Sequence, residues 1–77
     1  MRRFFFDLLM DNVVVLDPGG MIYEHVDTTI TVADGMVRHL LLRKDLQDRD
    51  VWVRVRDARG REVYRAAVAA EAAEPAG

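Results

Sequence analysis

Two stretches of this 77-residue chain have the pattern of strand, tight turn and strand. Side chains alternate cleanly over residues 51–57, whereas the strand at residues 4–9 is wholly apolar on one face and apolar at two of three positions on the other. The first stretch runs from residue 3 to residue 17 around Asp11-Asn12, and the second runs from residue 51 to residue 68 around residues 57–60. Alternation with a period of two is typical of a strand that buries one face. Asp, Asn and Gly suit the backbone of tight turns. Each stretch is therefore predicted to form a β-hairpin.

The segment between the hairpins has the periodicity of a helix. On a helical wheel, several apolar side chains lie within about 80° of Ile30 and form one stripe. They are Val26, Ala33, Val37, Leu40 and Leu41. Asp27 or Thr28 is a suitable N-cap, because a short polar side chain can accept from the free N–H groups of the first turn. We predict a helix from about Thr28 to Lys44.

Two features of this segment disfavour a helix that begins as early as Thr28. Residues 28–32 are mostly β-branched and lose rotamer freedom in a helix, and Gly35 costs about 1 kcal/mol relative to alanine in a helix interior. The alternative is a short strand at residues 28–32, a turn through Gly35, and a helix from Met36 to Leu46. In the single-helix interpretation, Val32 and Leu42 point away from the apolar stripe.

The predicted fold is an α+β domain with the element order β-β-α-β-β, in which one helix packs on a four-stranded, mostly antiparallel sheet. The strand order 2-1-3-4 keeps all neighbouring strands antiparallel. Residues 1–68 form this domain. Residues 69–77 are rich in Ala and Glu and have nothing large to bury, so we predict a flexible tail there.

The alternation in the last hairpin decides which side chains face the helix. The valines at positions 51, 53 and 55 share one side, and we predict that this side meets the helix. A loop closed by Gly60 would set Arg54 opposite Tyr64. The side away from the helix is then predicted to carry the candidate interaction residues. They are Phe5, Leu9, Trp52, Arg54, Arg56 and Tyr64.

Composition removes several classes of function. The chain has no cysteine and no serine, which excludes disulfides and the commonest nucleophiles. His25 and His39 lack partners at metal-ligand spacing. The aspartates, Asp7 included, are interpreted as turn and cap residues that bond to the backbone. We therefore expect no catalytic residue, no metal and no cofactor, and we predict that the protein is not an enzyme.

Charge is nearly balanced overall but uneven along the chain. Eleven basic residues stand against thirteen acidic ones, and the net charge of -2 gives no general attraction to phosphate polymers. Six arginines nevertheless lie between Arg49 and Arg65, against three acidic residues. Arginine favours planar, bidentate and stacking contacts.

The first ten residues have a basic pair before an apolar run, as in a signal peptide. Asp7 interrupts that run, Asp11-Asn12 ends it, and no small-residue cleavage site follows. No segment reaches the ~20 apolar residues that span a membrane. We expect a soluble, cytoplasmic protein without a membrane partner.

Three segments of the chain carry a family resemblance when they are taken together. They are residues 4–8 (Phe-Phe-Phe-Asp-Leu), residues 17–20 (Asp-Pro-Gly-Gly) and residues 52–63, with the spacing Trp-x-x-Val-x-Asp-x-x-Gly. In this order they resemble a family of short bacterial proteins known only as a domain of unknown function. The resemblance covers residues 3 to about 68 and implies the fold but no activity. The family usually has alanines four apart in the helix, where this chain has its threonine-rich run.

The sheet face that carries Trp52 has two interpretations. It is either a solvated face, with Trp52 lying flat among arginine stems, or a partner surface, because Trp, Tyr and Arg are enriched at binding hot spots. We expect a protein-interaction module that forms a homodimer through its sheet, or binds another protein. The alternative is weak binding of single-stranded nucleic acid, with Arg54, Arg56 and Arg65 on phosphates. The acidic net charge argues against nucleic acid.

Overall fold

The computed structural model describes residues 1–46 and 48–68, and within them five strands form one antiparallel sheet with a helix on one face. The elements are β1 (Arg2–Met10), β2 (Val13–Val15), β3 (Met21–Tyr23), α1 (Val26–Leu41), a 3₁₀ turn (Lys44–Leu46), β4 (Val51–Asp57) and β5 (Glu62–Ala67). Four strands follow one another across the sheet in the order β2-β1-β4-β5. They are the strands of the two predicted hairpins, and their order agrees with the predicted order 2-1-3-4. The α+β class is confirmed. The predicted tail, residues 69–77, lies outside the described residues.

The strand β3 was not predicted. It pairs with residues 2–4 of β1, whereas β2 pairs with residues 8–10, so both short strands lie along the same edge of β1. The other edge of β1 pairs with β4 over seven residues. β3 escapes the sequence analysis because three residues after a glycine pair are too few to show alternation.

The carboxylate of Asp17 fills the gap between β2 and β3. Its Oδ2 accepts from the backbone N–H of Phe6 at 3.2 Å, where β1 has no strand partner on that side. Its Oδ1 accepts from the N–H groups of Gly19 and Gly20 at 3.2 and 3.1 Å. A side chain thus replaces the missing ladder bond, as buried backbone donors require.

The helix α1 begins two residues before the predicted start and ends three residues before the predicted end. A strand at residues 28–32 is therefore wrong. The predicted N-cap is also wrong, because His25 occupies the cap position and makes no side-chain cap bond. Thr29 is fully buried, and its hydroxyl donates to the carbonyl of Val26. This bond gives the Thr29 hydroxyl a partner, so the buried polar group is not left unsatisfied.

The core lies between α1 and the sheet. Its buried residues are Phe4, Ala33, Leu46, Val51, Val53, Val55 and Val68. The prediction that the three β4 valines face the helix is confirmed. α1 packs mainly against β4 and β5 and also touches β3, so β2 lies at an uncovered border of the sheet.

Candidate interaction surface

The face of the sheet that points away from α1, here called the outer face, consists of rows of side chains paired across the strands. One row joins Leu9 of β1 to Val14 of β2 and Trp52 of β4. The next joins Asp7 to Arg54, and the one beyond joins Phe5 to Arg56. Five of the six predicted interaction residues therefore lie on one face.

Asp7 is the buried centre of the outer face. Its side chain is 0% exposed, and its Oδ2 accepts from Nε of Arg56 at 2.7 Å and from Nη2 and Nε of Arg54 at 2.8 and 3.1 Å. Its Oδ1 accepts from the backbone N–H of Asp17 at 2.9 Å. The interpretation of Asp7 as a turn or cap residue was wrong. It lies in mid-strand, and only the cross-strand register reveals its arginine partners.

The charge state of Asp7 follows from two opposing effects. Burial on its own raises the pKa of the Asp7 carboxyl, because the charged form loses water. The hydrogen bonds from Arg56, from the backbone N–H of Asp17 and from Arg54 favour the charged form and outweigh burial. The pKa of Asp7 therefore lies below its ordinary value, and the group is an anion at neutral pH.

The aromatic side chains of the outer face are partly covered by arginines. The guanidinium carbon of Arg56 lies 4.5 Å from the centroid of the Phe5 ring, and that of Arg65 lies 5.7 Å from the Trp52 ring. The indole N–H of Trp52 donates to Asp50 at 3.0 Å. Cation–π stacking of this kind shields ring faces from water. Arginine side chains thus cover part of both rings.

The predicted position of Tyr64 on the outer face was wrong. Tyr64 pairs with Val55, packs against the core, and donates from its hydroxyl to Asp34 of α1 at 2.7 Å. A β-bulge between Val55 and Arg56 shifts the register, so that Arg56 opposes Glu62 while Tyr64 opposes Val55 and turns toward the helix. A bulge places one extra residue on one strand, which reverses the facing of everything beyond it.

Within residues 1–46 and 48–68, the longest run of exposed large aliphatic residues lies at the β2 border. Val13, Val14, Val15 and Leu16 are 54%, 52%, 45% and 57% exposed. No charged residue occurs between Met10 and Asp17 except Asp11 in the turn. These four residues, 13–16, are called the β2 edge below. The sequence analysis did not identify the β2 edge as a candidate interaction surface, although four consecutive uncharged aliphatic residues beside a turn indicate one.

The opposite border of the sheet is charged. On β5, Arg65 and Glu62 form an ion pair at 2.7 Å, and both side chains are about two-fifths exposed. Charges of this kind discourage another strand from adding to an edge. The two borders therefore differ in their suitability for pairing.

An apolar groove runs between α1 and β1, close to the β2 edge. Its volume is about 430 Å³. It is lined by Leu8, Val32, Gly35, Met36, His39 and Leu40. Leu8 pairs with Val15, so the groove continues the exposed aliphatic surface of β2 on the helix side of the sheet.

Neither histidine belongs to a metal site within residues 1–46 and 48–68, where no three His, Cys, Asp or Glu side chains are grouped to hold an ion. In the same part of the chain, no helix has the length and apolar character needed to cross a bilayer.

A family model described as "Domain of unknown function (DUF6894)" matches residues 3–69. No curated protein and no solved structure was found to match the chain. The match spans nearly all of the sequence, and the chain belongs to this family.

Proposed function

We propose, from the premise that the chain is a domain of a family whose function is unknown, that it is a small interaction module that associates with a second copy of itself through its sheet. The observation that carries the proposal is the β2 edge. Four consecutive aliphatic residues are each about half exposed there, beside open backbone donors and acceptors. An apolar, uncharged strand edge is a template for pairing with another strand.

The symmetry of strand pairing favours a second copy as the partner. Two identical strands that pair antiparallel are related by a two-fold axis, and each offers the donors and acceptors that the other needs. Pairing of two β2 strands would bring Val14 of one copy close to Val14 of the other. The charged β5 border lacks this self-complementary character.

The outer face extends the same surface inward from the edge. Val14, Leu9 and Trp52 form one continuous row, of which Val14 is 52% exposed. Burial of this row and of the aliphatic edge would stabilise the dimer at roughly 25 cal/mol per Å² of apolar area removed from water. Asp7 and its arginines contribute little to such an interface, because they are already satisfied within one copy.

The size of the domain also favours association. A chain of 77 residues buries only about 60% of the surface that its unfolded form exposes. Domains of this size are commonly stabilised by disulfides, metals or oligomerisation. The sequence contains no cysteine, and the proposed dimer supplies the third means.

Light scattering after size exclusion tests the proposal. Because the paired edge is short, we expect a dissociation constant on the order of 100 µM, so the chain of 8.8 kDa should approach twice that mass at about 1 mM. Val14→Lys should give a folded monomer, because a charge would be buried at the two-fold axis. Leu42→Lys is the matched control, since Leu42 is 80% exposed but lies beyond the end of α1.

Two outcomes would count against the proposal in different ways. A wild-type chain that stays monomeric at about 1 mM would remove self-association. A dimer that persists in Val14→Lys would keep self-association but remove the β2 edge, and Trp52→Ala would then test the outer face. Unfolding curves of each variant separate loss of dimer from loss of fold.

Nucleic-acid binding on the outer face is the less favoured function. Arg54 and Arg56 are committed to Asp7, and their side chains are only 23% and 21% exposed. To hold phosphates they would have to leave a buried carboxylate unpaired, which is costly. A titration with single-stranded oligonucleotides at low salt tests the idea, because affinity should fall steeply as salt rises.

Three further expectations belong to this proposal. The module carries out no catalysis, it acts in the cytoplasm, and its family has the aromatic first strand and the Trp-containing last hairpin in common. Assays on purified protein, localisation of the tagged chain and comparison of family sequences test them in turn.

A further inference from the structure

A second concave surface lies at the end of the sheet opposite the Asp11 turn. It is a cavity of about 500 Å³ between the start of β1 and the β4–β5 turn. It is lined by Met1, Arg2, Arg3, Asp57, Ala58, Arg59 and Arg61. We propose that this cavity binds a small polyvalent oxyanion of the phosphate class, such as a pyrophosphate group. The site is separate from the β2 edge and independent of the proposed self-association.

The one carboxylate in the lining does not neutralise the site. Asp57 accepts from the backbone N–H groups of Arg59 and Arg61 at 2.9 and 3.0 Å, and from Nε of Arg61 at 3.4 Å. These bonds hold the turn together and tie Asp57 to its own loop. Four arginine residues therefore line a cavity whose single carboxylate is already engaged in the turn.

The distribution of ion pairs shows that this positive charge is unusual in the molecule. Within residues 1–46 and 48–68, six arginines form ion pairs. They are Arg43, Arg49, Arg54, Arg56, Arg61 and Arg65. In the same ranges four arginines form none. Three of them, Arg2, Arg3 and Arg59, line this one cavity, and the fourth, Arg38, lies on α1. In a chain with net charge -2, carboxylates are in excess, yet the three arginines Arg2, Arg3 and Arg59 form no ion pair with any carboxylate in the described part of the chain.

The chemistry of the lining selects the class of ligand. A guanidinium group presents a planar fork of donors that matches the oxygens of phosphate. The cavity volume falls within the range of small-molecule sites, which is roughly 300–1,000 Å³. A diphosphate offers several anionic oxygens to several arginines at once, whereas a monovalent anion brings only a single negative charge.

Two of the arginines are held in place before any ligand arrives. The guanidinium carbon of Arg2 lies 5.8 Å from the centroid of the Phe4 ring, and Arg3 donates to the carbonyl of Gly19. Side chains that are already restrained lose less entropy on binding. Arg59 extends from the opposite wall on the β4–β5 turn, so the ligand would be held from two segments that are far apart in sequence.

Calorimetric titration with inorganic pyrophosphate tests the site. We expect one site per chain, with an affinity that falls as salt rises from about 50 to 200 mM. The double variant Arg2→Gln/Arg59→Gln should weaken binding at least about tenfold, since each lost charge-assisted contact removes a substantial part of the affinity. The matched control is Arg38→Gln, because Arg38 is exposed and without an ion pair among the described residues but lies on α1.

Several results would overturn the site. They are no binding of pyrophosphate at low salt, equal weakening by Arg38→Gln, and binding of a single-stranded oligonucleotide without binding of pyrophosphate. The substituted side chains are exposed, so the variants should unfold like the wild type. The oligomeric state of the double variant should also be unchanged, which separates this site from the proposed dimer.

Discussion

Arg56 places its Nε 2.7 Å from a carboxylate oxygen of Asp7 while its guanidinium carbon lies 4.5 Å above the centroid of the Phe5 ring. One side chain thus neutralises a buried anion and covers an aromatic ring. Phe5 and Asp7 are two residues apart on β1, which puts them on the same face and within reach of one arginine on β4.

Asp7→Asn should destabilise the domain by about 2–4 kcal/mol, because two mostly buried arginines would lose the anion that they share. Urea unfolding followed by far-ultraviolet circular dichroism measures the change. Asp48→Asn is the control, since Asp48 is exposed. A loss of under about 0.5 kcal/mol in Asp7→Asn, which is the usual size for a surface substitution, would contradict the assigned role.

Stability should fall as the solution is made acidic. The pKa of Asp7 is lowered from 3.8 in the folded state, where hydrogen bonds outweigh burial, and the pKa of Asp17 is lowered mainly by the backbone N–H of Gly20. A depressed folded pKa adds stability that is complete above the unfolded value and is lost as pH falls through the folded value. Urea unfolding at pH values from about 6 to 2 should show the loss below about pH 4. Asp7→Asn should show a smaller loss over the same range.

Gly20→Ala should destabilise the domain by about 1–3 kcal/mol. Gly20 has φ of +70°, and an added Cβ would lie 2.6 Å from the carbonyl oxygen of Phe4. The neighbouring Gly19→Ala is the matched control, because nothing lies within 4 Å of its added Cβ. Thermal unfolding of the two variants should therefore give different midpoints, and equal midpoints would contradict the close approach.

Tyr64→Phe should cost about 1 kcal/mol, since it removes the hydrogen bond from the Tyr64 hydroxyl to Asp34 and leaves the ring in the core. The same bond, followed by burial, raises the pKa of Tyr64 above 10.0. Spectrophotometric titration of tyrosine should show one late-ionising group that disappears in Tyr64→Phe. Loss of a group with the ordinary tyrosine pKa in Tyr64→Phe would contradict the hydrogen bond to Asp34.

Local patterns predicted the elements that are long and regular. The valine alternation of β4 fixed which face meets α1, and the turn chemistry at Asp11-Asn12 and Gly60 located both hairpins. The helix was found because its apolar stripe outweighed the β-branched run at residues 28–32. These features depend on neighbours in sequence, so a single chain is sufficient to reveal them.

The missed features depend on register. The bulge next to Val55 turns Tyr64 toward the helix, and no residue type in the hairpin sequence indicates a bulge there. The burial of Asp7 required knowledge that β1 and β4 align Asp7 with Arg54. Contacts across 47 positions of sequence are set by the pairing of whole strands, which local periodicity leaves open.

The two short strands meet β1 through separate three-residue ladders, and in the space between them Asp17 bonds to β1 through its carboxylate and its backbone N–H. Each can therefore lift from β1 without the other, while the seven-residue pairing of β1 with β4 stays closed. We therefore expect this border of the domain to unfold locally in two separate steps, one for each short strand. Amide hydrogens of β2 and β3 should exchange early and at unequal rates, long before those of the central strands.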